Sequence, residues 1–234
     1  MQRIACRGVV VDIEGTTSAA RHVYEVLFPY ARDHLRDWLE HHGSDPETAS
    51  AVAEVAATLD CDPGDLDAVT AQLTTWIDDD VKAAPLKTIQ GLIWQQGYER
   101  GELTSHVFDD VPPVLRAWHD GGLTLAVYSS GSVAAQQALV ANAPQGDLRA
   151  LFSDYFDITT AGPKREPSSY RRIAQALGMD PAHLLFLSDT QAELDAAREA
   201  GWQVIGLRRT GEEQATATSD PTVGSFAEIE AVLA

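Results

Sequence analysis

The hydrophobic pattern of this chain is dominated by short runs that are apolar at nearly every position, with no alternation of apolar and polar residues. The first is Gly8-Val9-Val10-Val11, inside the segment Ile4–Ile13. Three more follow far downstream: LTLAVY (Leu123–Tyr128), LLFL (Leu184–Leu187) and VIGL (Val204–Leu207). Strands covered on both faces read this way, as in a parallel sheet. Tyr155–Thr160 adds a further strand between the second and third runs. Helical patterns separate them, among them Val114–Asp120, which leads through Gly121-Gly122 into the second run. Strand–helix alternation of this kind predicts an α/β fold, with right-handed crossovers and helices on both faces of an open parallel sheet.

The stretch Ser18–Ser105 carries no comparable run. Leu35, Trp38 and Leu39 share one helical face, as do Leu86, Ile89, Ile93 and Trp94. Asp45-Pro46 and Asp62-Pro63-Gly64 mark loops that start helices. The stretch is too long for a crossover and predicts a separate all-helical domain inserted after the first strand. The expected division is therefore a core of residues 1–17 and 106–234 and a helical cap of residues 18–105. Gly211–Asp220 reads as an acidic-polar loop.

Composition narrows the picture. With 234 residues, 44% hydrophobic and 22% charged, the chain is an ordinary globular sequence. Its 17 Lys and Arg against 35 Asp and Glu give a net charge of −18. That balance argues against nucleic acid or an anionic membrane as a partner, since both require clustered cations. No apolar run approaches the roughly 20 residues needed to span a bilayer, and the amino-terminal segment does not read as a signal peptide. Cys6 and Cys61 are the only cysteines, without zinc spacing, which suits a reducing compartment. A monomeric cytoplasmic protein with a small-molecule partner is the expectation.

Ligands of open α/β sheets bind beyond the carboxyl ends of the strands, so the residues just after each run are the candidates for chemistry. The first run ends in Asp12-Ile13-Glu14-Gly15-Thr16-Thr17. Two carboxylates two residues apart converge at the mouth of the sheet, and like charges that close need a cation or a raised pKa. Ser129-Ser130-Gly131-Ser132 follows the second run, hydroxyls that open a helix and suit an anion. Lys164 lies on the loop after Tyr155–Thr160, and Asp189 follows the LLFL run. Taken singly, each of these has an ordinary structural use as a cap, a turn residue or a solvated lysine. Jointly they form a phosphoryl-transfer set: oxygens of Asp12 and Asp189 for a hard ion such as Mg²⁺, a carboxylate to attack phosphorus, and Ser129 and Lys164 on the equatorial oxygens.

In that order, VVVDIEGTT, VYSSGS, GPKREPSSY and LFLSDTQAELDAA resemble the four motifs of the haloacid dehalogenase superfamily. The segments DIEGTTS, LFPYAR, LKTIQGLIWQQGYERGEL, VFDDVPPVL and FLSD resemble one family within it, the enolase-phosphatases of methionine salvage. The resemblance covers nearly the whole chain and is weakest across residues 43–80. It implies a Rossmann-like parallel sheet core flanked by helices, with an inserted all-helical cap. It also implies one Mg²⁺ held by Asp12, Glu14 and Asp189, catalysis by Asp12, Glu14 and Lys164, and substrate contacts from Ser129, Ser130 and Lys164. The implied substrate is the phosphate ester 2,3-diketo-5-methylthiopentyl-1-phosphate, enolised and then dephosphorylated to the acireductone 1,2-dihydroxy-3-keto-5-methylthiopentene.

In most phosphatases of the superfamily the position of Glu14 is a second aspartate that acts as general acid, while its backbone carbonyl meets the metal. A glutamate reaches further by one methylene, and an enolate leaving group is a weaker base that needs less protonation. Other functions remain to be weighed. Another Mg²⁺-dependent phosphatase or a dehalogenase of the same superfamily differs in substrate and, for the dehalogenase, in needing no metal. A non-enzymatic phospho-acceptor switch is disfavoured because the last acid here follows the lysine. A dinucleotide oxidoreductase is disfavoured by the absence of G-x-G-x-x-G after the first strand.

Overall fold

The computed structural model describes residues 1–218 and 221–234, so the last two residues of the expected loop 211–220 lie outside the described residues. The chain divides into two compact units, Met1–His22 with Thr104–Ala234, and Val23–Leu103.

Strands β1 (Gln2–Cys6), β2 (Gly8–Val11), β3 (Thr124–Tyr128), β4 (Asp154–Phe156), β5 (Leu184–Ser188), β6 (Gln203–Leu207), β7 (Thr222–Val223) and β8 (Ile229–Leu233) belong to the first unit. Six of them form one parallel sheet in the order β4-β3-β2-β5-β6-β7. Ile4–Ile13, expected as one strand, is two. The chain bends at Arg7, whose N–H donates to His183 O (2.7 Å) and whose carbonyl accepts from Thr124 N–H (3.0 Å). Thus β1 leaves the main sheet and pairs in parallel with β8. The expected strand Tyr155–Thr160 also stops early, at Phe156. Asp157 Oδ1 accepts the N–H groups of Thr159 and Thr160 (2.9 and 2.8 Å), and that Asx-type turn ends the pairing.

The main sheet is covered on both faces, as the continuous apolar runs require. Val9 and Val11 face one layer with α6 (Val111–Asp120), which supplies Val111, Leu115 and Trp118. Val10, Ala126, Tyr128 and Phe186 face the other layer. There α8 (Pro167–Leu177) contributes Tyr170 and Ile173, and α9 (Gln191–Glu199) contributes Leu194 and Ala197. Alternate side chains of one strand thus enter two different cores.

The second unit begins with one π-helical turn, Val23–Leu27, and continues as α2 (Phe28–His42), α3 (Pro46–Leu59), α4 (Leu66–Asp78) and α5 (Ala84–Glu99). Pro46 occupies the first turn of α3 and Asp65 caps α4 by accepting Ala68 N–H (3.0 Å). Its core gathers Leu35, Leu39, Val55, Leu73, Ile89 and Ile93, all nearly inaccessible. Trp94, which continues the Leu86–Ile93 stripe, is only half-buried. Its Nε1–H donates to Leu27 O (2.8 Å) and its ring stacks on Phe28. Ser18–His22 lies with the sheet unit: α1 (Ala20–His22) is preceded by Thr17, whose carbonyl accepts from Phe108 N–H (3.0 Å), and Ala19 N–H donates to His106 Nδ1 (3.0 Å).

Candidate active site

Asp12 follows β2 at the centre of the sheet, where the neighbours on either side are β3 and β5. The strand order reverses there, which opens a crevice beyond the carboxyl ends. Asp12 N–H donates to Leu187 O (3.0 Å), carrying the ladder one residue past the strand, and Asp12 Oδ1 accepts Ile13 N–H (2.8 Å). The chain then winds tightly: the N–H groups of Thr16, Thr17 and Ser18 all reach Ile13 O (3.1, 2.9 and 2.9 Å). Thr17 Oγ1 donates to Asp12 O (3.0 Å). Gly15 has φ +71°, and a Cβ at this position would lie 2.7 Å from Asp189 Cγ. Both the backbone and the approach of Asp189 require glycine here. Gly15→Ala is therefore expected to lose about 1–3 kcal/mol of stability, read as a lower denaturant midpoint. An unchanged midpoint would mean that Asp189 stands elsewhere.

Lys164 sits on a loop whose carbonyls are tied one after another. Arg172 Nη1 donates to Ala161 O (2.5 Å), Tyr128 OH to Gly162 O (2.7 Å), Ser169 Oγ to Pro163 O (2.8 Å) and Tyr170 OH to Lys164 O (2.8 Å). The side chain, 6% exposed, places Nζ 2.6 Å from Asp12 Oδ1 and 2.7 Å from Glu193 Oε2. A buried ammonium between two carboxylates has no surface role.

Asp189, just past β5, donates its N–H to Thr16 Oγ1 (3.0 Å) and accepts Thr190 Oγ1–H on Oδ1 (3.0 Å). Ser188 Oγ donates to Glu193 Oε2 (2.9 Å) and stands 3.5 Å from Asp12 Oδ2. Ser129 is buried after β3; its N–H donates to Phe156 O (3.2 Å) and its Oγ accepts Gly131 N–H (3.3 Å). Ser130 is half-buried beside it. The cap of α7 (Val133–Ala141) is Ser132, whose Oγ accepts Ala135 N–H (3.2 Å). Ser132, not Ser129 or Ser130, is thus the N-cap residue of that helix.

Charge at the site is unbalanced. Burial pushes the Asp12 carboxyl well above the usual range, with Glu193, Asp189 and Glu14 adding to the effect against the pull of Lys164. Burial likewise pushes Asp189 up, to about 6. Burial works against the Lys164 ammonium, but Asp12 and Glu193 outweigh it and raise its pKa above the ordinary value. Four carboxylates therefore share one ammonium, a surplus that a hard divalent cation would neutralise. Among the described residues no three His, Cys, Asp or Glu side chains form a metal cage by themselves. Mg²⁺ binds through one or two carboxylates and keeps several waters, so Asp12 and Asp189 fit it. Glu14 is half-buried next to them.

Glu193 belongs to this constellation although the strand-end reading did not select it. The signal was its spacing, four residues after Asp189 in the first turn of α9, which turns it back toward the sheet.

A parallel sheet with the strand-end order Asp, Ser, Lys, Asp is the frame of the haloacid dehalogenase-like hydrolases, and the model of that family matches residues 6–201. The chain belongs to this family. The enolase-phosphatase E1 of Frankia alni is 52% identical over 220 residues, covering 94% of this chain and 93% of that one. Its counterpart from Streptomyces avermitilis is 54% identical over 204 residues, covering 87% and 85%. Within the hydrolases the chain thus belongs to the enolase-phosphatase E1 branch. In architecture it is similar to the solved UTR4 protein of Saccharomyces cerevisiae, with TM-score 0.78 and 29% identity, covering 95% of this chain and 99% of that one. CbbY of Rhodobacter sphaeroides, at TM-score 0.61 and 19% identity over 97% of each chain, shares the fold.

Proposed function

We infer that this protein is the enolase-phosphatase of methionine salvage, converting 2,3-diketo-5-methylthiopentyl-1-phosphate to the acireductone 1,2-dihydroxy-3-keto-5-methylthiopentene and phosphate with one Mg²⁺. The observation that carries the reading is the buried Lys164 ammonium between Asp12 and Glu193 at the central strand end. The half-identical relatives supply the substrate class.

Asp12 and Asp189 would hold the metal, with Glu14 beside them. When bound, Mg²⁺ supplies Lewis-acid charge at phosphoryl and carbonyl oxygens. In the phosphatase step one Asp12 oxygen attacks phosphorus. The bond from phosphorus to the enol oxygen breaks, and its electron pair leaves with that oxygen. Lys164, Ser129 and Ser130 hold the equatorial oxygens, whose charge grows along this path. Glu14, two residues from the nucleophile and half-buried, is the group that would give the leaving oxygen its proton. Water then attacks the phosphorus of the acyl phosphate, releasing phosphate and restoring the Asp12 carboxylate.

We place the enzyme in the cytoplasm as a monomer. Cys6 and Cys61 are both free thiols, which suits reducing conditions, and the net charge of −18 opposes self-association. No helix of the described residues is long and apolar enough to cross a membrane.

The test is incubation with the diketo phosphate, following enol absorbance and free phosphate together, with Mg²⁺ and with a chelator. Both signals are expected with Mg²⁺ and neither with the chelator. Turnover of other phosphate esters but not this one would assign the site to a different phosphatase, and full turnover in chelator would remove the metal.

A further inference from the structure

We propose that Arg209 is a positioning residue that sets the spacing of Asp12 and Asp189, and through it the affinity of the site for its divalent cation. This rests on the metal assignment above and extends it to a residue that touches neither substrate nor metal.

The loop after β6 meets both acid-bearing strand ends. Arg209 Nε–H donates to Thr16 O (2.6 Å), within the turn that follows Asp12. Glu212 Oε2 accepts Ala20 N–H (3.0 Å) at the far end of the same turn. Thr216 N–H and Ala217 N–H both donate to Asp189 O (3.0 and 2.8 Å), and Thr216 Oγ1 accepts Gln191 N–H (3.0 Å). Arg209 and Thr216 therefore hold the two strand ends from one common segment.

Thr16 joins these contacts. Its carbonyl is held by Arg209 and its hydroxyl oxygen accepts Asp189 N–H. A shift of Thr16 by a few tenths of an ångström moves Asp189 relative to Asp12, which lies four residues earlier in the same wound turn. Metal ligation is sensitive to such displacements, because partners behind the ligands fix ligand orientation.

Arg209 is built to stay put. It is 7% exposed, with its guanidinium stacked over Phe108 (4.2 Å to the ring centre) and near Phe226 (5.1 Å). Nη1 donates to both Asp110 oxygens (2.9 and 3.1 Å), and Asp110 also accepts Ser225 Oγ–H and Phe226 N–H (2.7 Å each). The Nη2 atom is buried without a hydrogen-bond partner, a cost a surface-type ion pair would not carry. The planar fork presents Nε–H to Thr16 O and Nη1–H to Asp110 in fixed directions, a geometry that the single flexible ammonium of a lysine does not reproduce.

Titration of the full-length protein with Mg²⁺ alone, by calorimetry, tests this on Arg209→Lys and on Thr16→Val with Thr16→Ser as its rescue. Arg209→Lys and Thr16→Val are each expected to weaken Mg²⁺ roughly 10–100-fold, while Thr16→Ser, which keeps the hydroxyl acceptor, stays near the parent. In turnover assays the activity of Arg209→Lys should recover largely at saturating Mg²⁺. A parent that binds no Mg²⁺ overturns the metal assignment together with this proposal. A parent that binds, with folded Arg209→Lys and Thr16→Val binding equally tightly, overturns this proposal alone. Should Arg209→Lys fail to fold, the Thr16 pair decides: Val and Ser variants that bind alike overturn it.

Discussion

Asp12→Asn should abolish phosphate release, by on the order of 10⁴-fold or more, as expected when a covalent nucleophile is removed. An amide cannot form the acyl phosphate. The substitution leaves the fold intact for a geometric reason: the backbone contacts of Asp12, from its N–H to Leu187 O and from Thr17 Oγ1 to its carbonyl, survive the change. The Lys164 ammonium still faces Glu193. Enolisation asks less of Asp12, so the variant at saturating Mg²⁺ is expected to accumulate enol phosphate slowly. Enol absorbance and a phosphate assay on one sample read both steps. Near-normal phosphate release would take Asp12 out of the nucleophile role, and the proposed mechanism with it.

The second large effect belongs to Lys164→Met, for which we expect a loss of at least roughly 10²–10³-fold in kcat, the range for one charge-stabilising donor. Two causes act together. The equatorial phosphoryl oxygens lose their ammonium, and Asp12 and Glu193 are left as buried carboxylates without the cation that joins them. Breaking a buried pair from one side is itself destabilising, so kcat is read per folded molecule. Arg149→Met removes the same unit of charge from the surface, where Arg149 pairs with Asp147 and both are exposed, and should leave kcat nearly unchanged. Equal small losses in both variants would mean that Lys164 acts only through overall charge.

Why some of this was legible in the sequence and some not follows from burial. The runs that became β2, β3, β5 and β6 are covered on both faces, so every position had to be apolar and the pattern was unambiguous. In β1 the exposure alternates along QRIAC, with one fully buried residue at its end, and five such residues next to an apolar run read as its continuation. β7 has two residues and β8 the half-exposed IEAVL; neither carries a signal that separates it from loop. Asp157 looked like a strand residue because an Asx turn depends on where its carboxylate points, which no local pattern records.

The site divides in the same way. Asp12, Ser129 and Asp189 stand directly after strands and Lys164 on the loop that follows β4, and segments after strands were readable. Glu193 reaches the site from a helix, and its part becomes visible only when Lys164 Nζ is seen between it and Asp12. Arg209 is further from pattern, since an arginine after a strand reads as solvated until Phe108, Phe226 and Asp110 are found around it. The family resemblance carried over the candidates for contact with substrate and left aside the residues that hold them in place.

All four residues of β2 are buried, and the strand is paired on both edges, to β3 and to β5. Its amides can meet solvent only when the whole sheet comes apart, which places them among the slowest to exchange with deuterium. The residue that follows the strand shares that permanence: local breathing of loops does not reach it. Mutations that weaken the molecule away from the site and from the loop that braces it will thin the population of active enzyme while each surviving copy works at its full rate.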